Sequence, residues 1–321
     1  KAFVLRPQHG EVQDTLLQLQ AGSENWTGAR ATLAAKLKSG SLPRDVHKRR
    51  DAVLALAHAR DALAAGQIEE ARKDATEANR LSPDLVPAAV MAARMAIEEG
   101  KPRVATKVIR KAWDKAPHPD LAAAFAEIEP TESPEERLKR FRVLFSKHPD
   151  DPGVKLLKAE LNIAAEDYAA ARAALGDLAE TAPTARSLTI MAAIERGQGT
   201  EDHHVRAWLA KAVTASRGPQ WTCEACGHVH ADWHPVCEHC DRFDTLAWIE
   251  APQSNAALAA TAPMLPLIVG ALERPQADAE EAEIVVIDPE EEDDEAAPEA
   301  DTPEPEAETE EDDRPSATAA N

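Results

Sequence analysis

From residue 49 onward one spacing recurs along the chain. Gly66, Ala71, Ala78 and Pro83 are followed 34 residues later by Gly100, Ala105, Ala112 and Pro117. The fragments GQIEEARKDATEANRLSP and GKPRVATKVIRKAWDKAP align position for position. The final step, alanine and then proline twelve residues on, returns at Ala171/Pro183 and Ala207/Pro219, and Pro149 closes a degenerate unit around Phe141 and Phe145. A unit of this length has room for two short helices. It cannot bury its own apolar face, so successive units must stack. Glycine suits the tight turn inside the pair, alanine lets two helices approach closely, and proline opens the next unit.

This pattern resembles the tetratricopeptide repeat, although its large aromatic positions are mostly Ala or Leu here. The resemblance implies an all-α fold, a tetratricopeptide-like α-solenoid with units ending at Pro83, Pro117, Pro149, Pro183 and Pro219. The repeats are expected over 49–219, with an N-terminal helical region over 1–48. There, Trp26, Ala29 and the run Leu33–Lys38 suggest one amphipathic helix and HGEVQDTLLQLQ a second. A solenoid's concave face commonly holds a peptide or helix. Arg60, Arg94, Arg110 and Lys111 are candidates to line it.

All four cysteines fall between Trp221 and Trp248, as Cys223-x2-Cys226 and Cys237-x2-Cys240. Each pair is a short turn that aims two sulfurs at one ion, and Gly227 sits where such a turn can need positive φ. Four thiolates at about 2.3 Å suit tetrahedral zinc with no open position. We therefore expect a small rubredoxin-like zinc knuckle over 220–250, closed and structural. Iron in the same four sulfurs is the alternative. Two disulfides would need an oxidising compartment, and a redox C-x-x-C pair normally sits in a βαβ context that is missing here. Trp221, Trp233, Phe243 and Trp248 are four of only twelve aromatics in the chain and are expected to fill the core of the knuckle. His228, His230, His234 and His239 are expected as polar surface residues.

The formal net charge of −21 is unevenly placed. Residues 273–321 carry 21 acidic side chains against two arginines, which leaves about −2 for residues 1–272. A disordered acidic tail is expected there. An apolar Ala/Pro linker is expected over 251–272, whose prolines interrupt any membrane span. The near-neutral body and a single cation, Arg242, inside the knuckle argue against nucleic acid. No phosphate loop, nucleophile elbow or H-E-x-x-H motif is present, so no enzyme is expected.

A helical-repeat body followed by WTCEACGHVHADWHPVCEHCDRFDTLAW resembles the alphaproteobacterial type of the HemY family. The motif is carried by Gly227, Trp233, Pro235, Phe243, Asp244, Thr245, Leu246 and Trp248. The layout is also similar to that of LapB-type lipopolysaccharide assembly proteins, in which the knuckle packs on the repeats. The resemblance implies an adaptor of the bacterial inner membrane, facing the cytoplasm and associated with haem (porphyrin) biosynthesis. It would hold a protein partner, a membrane protein or haem-pathway enzyme, in its groove. The spanning helices of that family are expected upstream of Lys1. With iron in the four-cysteine site, the alternative is a metal-dependent redox or haem-pathway factor. In the adaptor reading, zinc is expected to hold the knuckle against the last repeats.

Overall fold

A computed structural model describes residues 10–251 of the chain. The acidic segment 273–321 and nearly all of the linker lie outside the described residues. Six helix hairpins follow one another. The first pairs α1 (Gly10–Gly22) with α2 (Trp26–Lys38), and the second α3 (Arg44–Ala64) with α4 (Ile68–Leu81). The third pairs α5 (Val86–Glu98) with α6 (Pro102–Trp113), and the fourth α7 (Pro119–Ala126) with α8 (Pro134–Phe145). The fifth joins α9 (Pro152–Ala164) to α10 (Tyr168–Leu175) and the single turn α11 (Leu178–Thr181). The sixth pairs α12 (Ala185–Gly197) with α13 (Asp202–Thr214).

Local chemistry sets these boundaries. Proline occupies the first turn of α6, α7, α8 and α9, where its missing N–H costs nothing. Asp151 and Asp167 cap α9 and α10, and Ser133 with Glu136 forms a capping box at the start of α8. Five hairpins share one C-terminal stop. A left-handed residue sits at the turn, and the next amide reaches back five residues. In the first hairpin it is Glu24 (φ +57°), with Asn25 N returning to Gln20 O at 2.9 Å. The other four are Gly66 (φ +75°), Gly100 (φ +67°), Glu166 (φ +58°) and Gly199 (φ +76°). Their return bonds are Gln67 N to Ala62 O at 2.8 Å, Lys101 N to Ala96 O at 2.8 Å, Asp167 N to Asn162 O at 2.9 Å and Thr200 N to Glu195 O at 3.0 Å. Glu24 and Glu166 keep the geometry without glycine, each at a backbone cost on the order of 1 kcal/mol.

The repeated alanines lie inside the helix packing. Ala71, Ala78, Ala105 and Ala171 are wholly buried. The degenerate fourth hairpin has a shortened α7 and, in place of the glycine turn, a loop pinned by arginine. Both Arg137 and Arg140 hold Glu132, and the Arg140 guanidinium lies 4.5 Å from the Phe125 ring centre and 5.3 Å from that of Phe141.

After α13 the chain turns at Gly218 (φ +77°) into β1 (Pro219–Cys223). This strand is the centre of a small antiparallel sheet, flanked by β2 (Val229–His230) and β3 (Leu246–Glu250). Trp221 pairs with both His230 and Trp248. Expected against the last repeats, the four-cysteine module instead shares its buried core with the first hairpins. Its lead-in meets the last hairpin, where Ala185 N donates to Ser216 O at 2.7 Å. The module itself packs on the first hairpins. Trp221, Trp233, Phe243 and Leu246 share one buried cluster with Leu17, Trp26, Leu33 and Leu54. The reason is apolar supply: α1–α3 present a buried face that has no preceding hairpin among the described residues, and the aromatic side of the module covers it.

Candidate metal centre and adjoining groove

The two cysteine pairs are built alike. Gly227 N donates to Cys223 O at 2.8 Å, and Asp241 N donates to Cys237 O at 2.8 Å. Both turn residues are left-handed, Gly227 at φ +73° and Asp241 at φ +56°. The sulfurs converge in consequence, with Cys223 Sγ 3.7 Å from Cys240 Sγ and Cys226 Sγ 3.8 Å from Cys237 Sγ. All four lie within 4.8 Å of one another, and none is in a disulfide. A tetrahedron with arms of about 2.3 Å has edges of about 3.8 Å. The residues present therefore fit one tetrahedral ion held by sulfur alone.

The surroundings favour thiolate on one sulfur. Burial pushes the Cys223 thiol up, but the Thr245 hydroxyl and the amides of Cys226 and Ala225 outweigh it and bring the value to about 6. The Thr245 Oγ1 sits 3.2 Å from this sulfur. Burial also raises the Cys237 thiol, and neighbouring sulfurs add to the rise. Four thiols this close cannot all ionise without a cation among them.

Polar contacts fix the module on the first hairpins. Gln18 clasps the second cysteine turn. Its side-chain amide donates to Asp241 O, and its oxygen accepts from Phe243 N at 3.3 Å. Arg49 meets Asp244 at 3.3 Å. Arg60 donates to Trp233 O at 2.8 Å and lies 5.4 Å from the centre of that ring. Burial lowers the Arg60 pKa, with Asp232 opposing. Arg60 is thus a docking residue of the module. Arg94 is bound to Glu127.

One further contact joins the sheet to the middle of the solenoid. His118, at the start of α7, is 3% exposed and packs against two indoles that also touch each other, 5.2 Å from Trp221 and 4.3 Å from Trp248. Its Nδ1 accepts from Asp120 N at 3.1 Å and caps the helix. Burial holds its pKa down at about 4.

Beyond this contact lies a groove of about 900 Å³. Its floor is α7 and α9, with Ala122, Ala123, Leu156 and Leu157, and its far wall begins at Thr184. Trp248 and Glu250 of β3 form the near edge, so the module borders the groove. Its cations are Arg137, Arg186 and Arg217; none of Arg60, Arg94, Arg110 and Lys111 lines it. The charge of a helix residue does not reveal which face it occupies.

Sequence reasoning also missed His118, which follows the unit-ending Pro117 without any motif, and Gln18. His230 is 5% exposed and not a surface residue, because strand pairing with Trp221 turns it inward.

No family model matches the chain, and no curated protein matches it. Among solved structures, it is similar to a tetratricopeptide repeat protein from Parabacteroides merdae ATCC 43184. The two share 16% identity over 65% of this chain and 86% of the other, with a TM-score of 0.31. The helical-repeat class rests on the hairpins themselves: an α-solenoid that carries a small knuckle with four clustered cysteines.

Proposed function

We propose that the chain is a non-enzymatic interaction scaffold that holds an extended or helical segment of a protein partner in the α7–α9 groove. The observation that carries this reading is the groove itself, open, apolar in its floor and charged at its rim. Its volume lies within the range of small-ligand pockets, so it suits a few side chains of a peptide and not a whole domain. Arg217 is exposed and forms no ion pair among the described residues, leaving a cation for a partner's carboxylate. A structural zinc ion held by Cys223, Cys226, Cys237 and Cys240 keeps β3 in place at the groove's edge. Resemblance to the HemY family supports seeking the partner at the cytoplasmic face of the inner membrane, among porphyrin-pathway proteins. No helix among the described residues is long and apolar enough to cross a membrane.

The test is peptide selection from a random displayed library against the intact chain. Selected peptides are expected to share an apolar core and an acidic residue. Ala123→Glu, which places a carboxylate on the exposed floor, is expected to weaken them at least about tenfold while helicity stays intact. Peptides that bind Ala123→Glu as well as the parent chain would remove the groove from the account. Metal content of the same preparation decides between the ions: colourless protein with one zinc supports the staple, and coloured protein with iron favours the redox reading.

A further inference from the structure

His230, His234 and Glu238 recur at four-residue steps through the segment between β2 and the second cysteine pair. The fold brings their donor atoms within 4.8 Å of one another. His230 Nδ1 is 3.8 Å from Glu238 Oε2, and His234 Nε2 is 3.4 Å from Glu238 Oε1. Ligands about 2.1 Å from a tetrahedral ion stand about 3.4 Å apart. The side chain of His230 is 2% exposed, whereas that of Glu238 is 65% exposed and that of His234 35%. One donor is thus fixed inside the module and two reach it from the solvent side.

The tautomer of His230 supplies the second line of reasoning. Its Nε2 lies 3.4 Å from Cys237 Sγ. A neutral imidazole carries one N–H. An Nε2–H donated to the thiolate leaves Nδ1 as a bare lone pair, directed at Glu238. Metal-bound histidines commonly have this arrangement, with the far nitrogen donating to an anionic group.

We propose that His230, His234 and Glu238 form a second, open site for a divalent transition-metal ion, with two nitrogens, one carboxylate and a fourth position left to water. It is distinct from the sulfur site in ligand type, and borderline ions such as Zn2+ or Co2+ suit it. The tautomer reasoning rests on the reading that Cys237 is a thiolate bound to a metal. The distances do not.

Cobalt titration of the full chain separates the two sites. The sulfur site gives intense thiolate-to-cobalt charge transfer that saturates at the first equivalent. The second site is expected to take a further equivalent, with only weak visible bands added. His234→Ala and Glu238→Gln are each expected to leave the charge transfer unchanged and to weaken the second equivalent at least about tenfold. His228→Ala, which alters the neighbouring imidazole stacked on His239, is expected to change neither. A wild-type chain that binds only one equivalent would overturn the proposal. So would a second equivalent that follows His228 rather than His234. If charge transfer never appears but an equivalent sensitive to His234→Ala does, the sulfur site fails and this one stands.

Discussion

With the proposed ion in the sulfur site, the double substitution Cys223→Ser with Cys240→Ser is expected to release it and unfold the C-terminal module. Structural zinc supplies on the order of 10 kcal/mol of apparent folding free energy in small domains, more than a sheet of this size can replace. The damage should not stop at the module. Trp221, Trp233, Phe243 and Leu246 are at most 8% exposed because they lie on α1–α3, and losing them uncovers Leu17, Trp26 and Leu33. The hairpins from Pro152 to Thr214 bury a separate cluster built on Leu156, Leu175, Leu188 and Ile194, and should keep their helicity. Thermal unfolding followed by circular dichroism is expected to split into an early step for the N-terminal hairpins and a later one near the parent's. A single transition at the parent's temperature, with the metal still bound, would refute this.

The second large effect is acid sensitivity at His118. The ring is held neutral, with a pKa of about 4 against an ordinary value of 6.5, because burial against the indoles of Trp221 and Trp248 disfavours the cation. Below pH 6.5 the unfolded chain binds a proton that the folded chain refuses until about pH 4. Stability must therefore fall as pH drops through this window, by about 1.4 kcal/mol per unit and about 3 kcal/mol in all. Above pH 6.5 the contribution is complete and flat. His118→Asn retains a side-chain cap for α7 but cannot titrate there. Its unfolding free energy, measured in denaturant at fixed excess metal, should approach the parent's by about 2 kcal/mol or more between pH 7.5 and 4.5. A gap between the two that stays constant with pH would show that His118 takes up its proton in the fold as readily as out of it.

Repeats were legible where backbone demands a particular residue. Gly66 and Gly100 mark left-handed turns that glycine enters without strain, and Ala71, Ala78, Ala105 and Ala112 mark positions buried in the helix packing. The pattern faded where other chemistry meets the same demand. Glu166 adopts the turn at a cost, and Arg137 and Arg140 hold the fourth hairpin through Glu132. The convergence of the four cysteines was also legible, because C-x2-C spacing is a local property. The docking of the module was not. Contacts such as Gln18 with Phe243 and Arg60 with Trp233 join residues far apart in sequence, and no local rule ties them together. The His230–His234–Glu238 cluster was hidden for a related reason: strand pairing with Trp221 decides that His230 turns inward.

A metal-dependent clasp between the chain's C-terminal module and its first hairpins is tested most directly by hydrogen exchange. The full chain would be followed by mass spectrometry before and after a chelator strips the ion. Faster exchange is expected in Pro219–Cys223 and Leu246–Glu250, and equally in Gly10–Gly22 and Trp26–Lys38, while Ala185–Gly197 stays protected. Loss of protection confined to the module, with α1 and α2 unchanged, would contradict the clasp and leave the knuckle an independent appendage.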